Sequence, residues 1–148
     1  MKGYDPFKRV KGRKRHIVVD VCGHLMTVVV HHAGMQDYHG ARPTLERLAQ
    51  RSWPRLQKIM ADAIYHGDRD LADWIQQQFG WQLEVVEREP GCKGFQVLPK
   101  RWVVERTFAW LGRNRRLSKE YDQLPETSET WIYIAMTALL TRRLAISN

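Results

Sequence analysis

The tightest constraint on this chain is a pair of β-branched runs on either side of a short turn. His16-Ile-Val-Val-Asp-Val21 leads into Cys22-Gly-His24, and Leu25 to His31 resumes the apolar, β-branched pattern. Branched side chains fit a pleated surface, and a glycine-bearing break between two such runs predicts a β-hairpin. Beyond the hairpin the periodicity alternates. Asp37 opens a helix through about Ala49, with Leu45, Leu48 and Ala49 at helical spacing. After Trp53-Pro54, Leu56 to Ala61 reads as a buried strand, with Asp62 at or just beyond its end. His66 to Phe79 carries an apolar helical face of Leu71, Ala72, Ile75 and Phe79, stopped by Gly80. Trp81 to Glu87 reads as a strand, and Pro90-Gly91 and Lys93-Gly94 as a loop. A helix is expected from Pro99 or Lys100 to Leu111, broken at Gly112. A last helix runs from about Glu126 to Leu144, with capping chemistry at Thr127-Ser-Glu129. The order β-β-α-β-α-β-α-α is that of an α/β layer architecture.

A length of 148 residues suits one domain, and 43% hydrophobic residues suffice for a core. Residues 1–14 are polar and basic with Gly3, Pro6 and Gly12 as breakers, which predicts a basic arm or loop before a folded unit at 15–148. Lys and Arg number 24 against 16 Asp and Glu, a net charge of +8 that favours polyanionic partners, nucleic acid first. Cys22 and Cys92 form no CxxC pair, so the spacing suggests neither a zinc ribbon nor a disulfide framework. No N-terminal apolar segment points to secretion, and a cytoplasmic location is expected. The apolar run Trp131 to Leu140 has about half the length that spans a bilayer, which predicts a buried helix and no membrane partner.

Three features carry candidate chemistry. In Lys8-Arg-Val-Lys-Gly-Arg-Lys-Arg15 six of eight residues are cationic. Such a run suits phosphate contacts, which hold a protein on DNA without reading sequence, although a solvated strand edge would look the same. Asp62 follows an apolar strand, and α/β proteins place active sites at the carboxyl ends of strands. The plainer account is a cap on the next helix. Arg101 and Glu105 share one helical face beside an apolar stripe of Val104, Phe108 and Leu111, so Glu105 is expected to border buried surface. The plainer account here is an ordinary ion pair. His31 and His32, adjacent on a strand, point to opposite faces and cannot chelate together. His66 follows Tyr65, where a helix start or the surface is the simplest place for it, and no zinc spacing is evident.

Taken together and in order, Lys-Gly-Arg-Lys-Arg-His16, Asp62-Ala-Ile-Tyr65 and Trp102-Val-Val-Glu-Arg-Thr-Phe-Ala-Trp110 resemble the insertion sequence five family of bacterial DDE transposases, within the insertion sequence four-like superfamily. The resemblance runs from about Gly3 to Ala145. It implies a ribonuclease H-like fold and a role in DNA transposition, in which duplex DNA at transposon ends is cut and joined. Catalysis there uses two Asp and one Glu holding two Mg²⁺ ions. Mg²⁺ takes oxygen ligands, and paired ions stabilise both oxygens of an in-line displacement at phosphorus. By resemblance Asp62 is the second Asp and Glu105 the Glu, both metal ligands. Arg101 is the Arg four residues before that Glu, and Tyr65 the aromatic after the Asp. Leu98 and Gly112 stand where the signature has Tyr and Lys; Arg113 or Lys119 would substitute for that Lys.

The family's first Asp lies on a strand upstream of Gly3, and neither Asp5 nor Asp20 suits that position. The resemblance thus implies the C-terminal part of a catalytic domain lacking its first strand, inactive alone, with the hairpin and later strands left unpaired with each other. An N-terminal polypeptide would supply the missing part, and action as a homo-oligomer near the nucleoid is expected. Candidate phosphate contacts are Lys8, Arg9, Lys11, Arg13, Lys14 and Arg15 in the arm, and Arg106, Arg113, Arg115 and Arg116 in and after the Glu105 helix. The competing readings are a non-catalytic DNA-binding remnant or inhibitor on the same fold, and a protein-interaction module using Trp131, Ile134 and Leu139. Those three are more simply core residues.

Overall fold

The computed structural model describes residues 2–6, 9–86 and 100–146, the side chain of Arg101 excepted. Lys8, Cys92, Leu98, Pro99 and the loop at Pro90-Gly91 and Lys93-Gly94 lie outside the described residues.

Strands β1 (Gly3–Asp5), β2 (Val10–Val19) and β3 (Leu25–His32) form an antiparallel sheet. The expected hairpin is β2–β3, with Lys14 opposite His31, His16 opposite Val29 and Val18 opposite Thr27. The segment expected as an arm is strand instead. Gly3 to Asp5 pair with Gly12 to Val10, and Lys11 to Arg15 lie within β2. Composition misleads here because the cations have partners. Lys14 Nζ reaches Asp5 Oδ2 at 3.3 Å and Asp37 Oδ1 at 2.9 Å, which holds a polar strand in the sheet.

A bulge between Val18 and Val19 places Met26 as the extra residue of β3. It lets Leu25 share a face with Val28 and Val30 while Met26 turns to the other face with Val18. Each face meets helices. On one, α1 (Ala41–Ala49) and α2 (Leu71–Phe79) bring Ala41, Leu45, Leu48, Leu71 and Ile75, against which Val18 and Met26 pack. On the other, Val28 and Val30 meet Leu111 of α3 (Arg101–Gly112), Leu117, and Ile132, Ala135 and Met136 of α4 (Pro125–Ile146). The result is a mixed α/β molecule with a hairpin between two apolar cores.

A second, parallel sheet joins β4 (Lys58–Asp62) to β5 (Gln82–Val86), with Asp62 opposite Val86. Helix α2 is the crossover, as a parallel pair requires. It begins at Leu71, later than the apolar pattern suggested, because residues Ala63–Gly67 form a 3₁₀ turn. Gly80 ends it in the left-handed region at φ 70°, its N–H on the Gln76 carbonyl at 3.0 Å. Among the described residues no ladder joins β4–β5 to β2–β3.

The outer edge of β3 is closed by side chains. The Val30 N–H donates to Glu129 Oε1 at 2.9 Å and the Val28 N–H to Tyr133 Oη at 3.4 Å. Glu129 Oε2 also receives Arg47 of α1 at 2.7 Å, so one buried carboxylate ties α4, β3 and α1 together. Ser128 and Glu129 therefore face inward and are not caps. Ser128 Oγ donates to Glu120 Oε1 at 2.5 Å. Two further expectations about helix faces change. On α3 the buried stripe is Val103, Thr107 and Leu111, with Val104 and Phe108 exposed. On α4, Trp131 and Ile134 are exposed, and only Leu139 of the three packs on the core. Among the described residues no helix is long and apolar enough to cross a membrane.

Candidate functional site

Asp62 is the last residue of β4, half-buried, at the carboxyl end of the parallel pair. Its side chain makes no cap bond to the 3₁₀ turn that follows, so the simple capping account has no support in the geometry. Beside it, Tyr65 and Val85 help line an open cleft of about 460 Å³ with His66, Asp68, Arg69, Ala72 and Leu83. Asp68 is held by Arg42, whose Nε and Nη2 donate to Oδ2 at 2.7 Å and Oδ1 at 3.0 Å. That bidentate bond keeps the Asp68 carboxyl below its usual range.

Tyr65 links this corner to the hairpin. Its hydroxyl lies 3.3 Å from His16 Nδ1. Burial, then the charges of Asp37 and Asp62, push the phenol up to about 12, so it stays protonated and can donate to the imidazole. His16 is buried against Gly40 and stacked on His31 with ring centroids 4.6 Å apart. Desolvation, then the neighbouring His31, bring the His16 imidazole down to about 4.

Glu105 lies on α3 and is exposed. It does not border the buried face, since Val103, Thr107 and Leu111 occupy that face. Its helix meets the β2–β3 hairpin through the core of Val28, Val30 and Leu111, whereas Asp62 lies on the face of β4 opposite Ile59, the residue of that strand that packs on the α1–α2 core. The Arg101 side chain, and with it the Arg101–Glu105 pairing, lies outside the described residues.

The candidate phosphate contacts divide sharply. Lys8 lies outside the described residues. Arg9, Lys11, Arg113 and Arg115 are exposed. Arg13 is not: its side chain is 1% accessible, and it donates to Glu120 Oε1 at 3.1 Å, to the Asp122 carbonyl at 3.0 Å and to the Gln123 carbonyl. Arg13 therefore anchors the α3–α4 connection, and in this arrangement cannot meet a phosphate. Lys14 is held by Asp5 and Asp37, and Arg15 by the Leu117 carbonyl at 3.2 Å. Arg116 pairs with Asp122 at 2.5 Å beside Tyr121 and Trp131.

Arg106 belongs to a feature that the spacing did not reveal. Its guanidinium lies between Trp102 and Trp110, 4.4 and 4.6 Å from the ring centroids, and Arg143 covers Trp110 at 4.0 Å. The ladder ends on the hairpin turn. Arg106 Nη2 donates to the Cys22 carbonyl at 2.8 Å, and Thr107 Oγ1 to the Gly23 carbonyl at 2.7 Å. Guanidinium–indole stacking is legible in a sequence only when helix phase and partner helix are both known.

The model of a family described as a transposase DDE domain matches residues 1–140. No curated protein and no solved structure matches the chain.

Proposed function

The chain belongs to the transposase DDE-domain family, which gives it a role in transposition, and from that we propose that it carries part of a metal-dependent site that cuts and joins duplex DNA. The observation that carries this reading is Asp62 on the final residue of a parallel strand, where α/β proteins place catalytic groups. We take the chain as the C-terminal part of an insertion sequence five-like catalytic domain with a ribonuclease H-like fold. That β4 pairs with β5 alone among the described residues supports a further strand on its other side, bearing a third carboxylate from another polypeptide segment.

Asp62 and Glu105 have the donor chemistry that Mg²⁺ takes, carboxylate oxygen, and are the residues that would hold it. The ions, when bound, would offset charge on the oxygens of an in-line displacement at phosphorus. The chain's own part is to present the carboxylates and seat the duplex. Arg9, Lys11, Arg113 and Arg115 are exposed cations that would meet phosphates, and Arg101, which resembles the family's Arg four residues before the Glu, would steady Glu105. A homo-oligomer acting on transposon ends fits this reading.

The decisive test is DNA cleavage in Mg²⁺ by the chain combined with the polypeptide encoded upstream of it. Asp62→Asn and Glu105→Gln should each lower the rate more than about a hundredfold while leaving DNA affinity nearly unchanged. Full activity in either variant would remove that residue from the site. A second reading, DNA binding without cutting, draws on the exposed cations Arg9, Lys11, Arg113 and Arg115, which could hold a duplex whether or not the carboxylates meet. It would be supported if the combined wild-type polypeptides bind the duplex yet leave it whole.

A further inference from the structure

The turn between β2 and β3 gathers three different metal-ligating groups outside the Asp62–Glu105 site. Asp20, Cys22 and His24 occupy alternate positions, and one donor atom from each lies within 4.8 Å of the other two. We infer that this Asp-x-Cys-x-His turn is a binding site for a thiophilic divalent cation, Zn²⁺ or a chemical relative, separate from any Mg²⁺ site.

The backbone is already set for it. Asp20 Oδ1 accepts from the N–H groups of both Cys22 and His24 at 2.8 Å, closing a tight loop around the carboxylate. Gly23 sits at φ 81°, which a side chain would resist, and the Cys22 and Gly23 carbonyls are held by Arg106 and Thr107 of α3. Little conformational freedom is left for a metal to remove. His24 Nδ1 stands 3.1 Å from Asp20 Oδ2. Bonds of about 2.0 Å at a tetrahedral angle separate two zinc ligands by about 3.3 Å, so these two atoms are already spaced as an edge of such a site. Only the Cys22 thiol must swing inward, and it is exposed and turns about one bond.

The donor set decides the ion. A thiolate with an imidazole selects zinc-like ions, whereas a hard cation such as Mg²⁺ prefers oxygen throughout. Thiolate and carboxylate together cancel the charge of a dication, which limits its repulsion by the nearby Arg106 and Arg143. Binding is coupled to two proton movements. The thiol gives up its proton to solvent, and the imidazole proton passes from Nδ1 to Nε2. Arg143 Nη1 now lies 3.0 Å from His24 Nε2, and it must move aside when that nitrogen becomes a donor.

Titration of the full chain with Co²⁺ tests this directly, through visible ligand-field bands and near-ultraviolet thiolate charge transfer. Expected is 1:1 binding with a dissociation constant of roughly 10 μM or below. Cys22→Ser, a surface change that keeps the backbone bonds, should abolish charge transfer and weaken binding about a hundredfold. His24→Ala should weaken it as well, and Cys92→Ser should leave the spectrum intact. Asp62→Asn and Glu105→Gln should also leave it intact, so a failure here is distinct from a failure of the transposase reading. The inference is overturned by charge transfer that survives Cys22→Ser, by its loss in Cys92→Ser or Asp62→Asn, or by no binding at all near millimolar metal.

Discussion

His16 stands where β2, the turn before α1 and the turn after β4 meet, and its environment makes the molecule acid-sensitive. Burial and the neighbouring His31 hold its imidazole neutral down to about 4, against 6.5 for a free histidine. His31 is lowered by the same desolvation. The sign follows directly: the unfolded chain takes up a proton through pH 6.5 while the folded chain does not. Stability is therefore full above that point and falls as pH drops toward 4, by up to about 3 kcal/mol from His16. Urea unfolding near neutrality and near pH 5 should show the loss, and His16→Gln should flatten it. Gly40 shares this corner, since a Cβ there would lie 2.5 Å from His16 Nε2. Gly40→Ala should cost about 1–3 kcal/mol in the same measurement. None of this was legible in the sequence. The imidazole owes its burial to Tyr65, far away in the chain, and only pairing between distant elements could reveal it.

Elements were far easier to read than their faces. The hairpin, β4, β5, α3 and α4 lie close to where periodicity puts them, whereas α1 and α2 start four and five residues late, after 3₁₀ turns. The error on α3 is one of phase. Val103 and Val104 are both apolar, and Phe108 looks a better core residue than Thr107. Yet Thr107 is wholly buried, because its hydroxyl bonds the carbonyls of Gly23 at 2.7 Å and Val103 at 3.0 Å. That tertiary acceptor is invisible in the local pattern, and it moves Glu105 to the outer side of the helix. Thr107→Val, nearly the same shape, should cost about 1–2 kcal/mol and loosen the turn from α3, read by hydrogen exchange at Cys22 to His24. At Gly80 the local signal sufficed: the left-handed stop is written in the residue itself. Gly80→Ala should cost about 1 kcal/mol by backbone strain alone, since the space beside it is open.

Across the whole molecule, the charge of +8 is less available than the composition suggests. Arg13, Lys14 and Arg15, read from the sequence as phosphate contacts, are committed to Glu120, Asp5, Asp37 and the chain between α3 and α4. Mutations should separate the two classes. Lys11→Ala and Arg113→Ala are each expected to lower the salt dependence of DNA binding by about one unit of slope without changing stability. Arg13→Ala should instead destabilise the fold by about 2 kcal/mol and leave the slope unchanged in the protein that remains folded. Binding isotherms over a range of salt, with urea midpoints alongside, distinguish them.

Glu129 and Tyr133 have a consequence for how sheets in this molecule can grow. By taking the Val30 and Val28 N–H groups they blunt the middle of the β3 rim, so a visiting strand finds those two donors already engaged. The rim of β4 away from β5 carries no third strand among the described residues. Recruitment of another backbone is thereby given a direction, and it leads to Asp62.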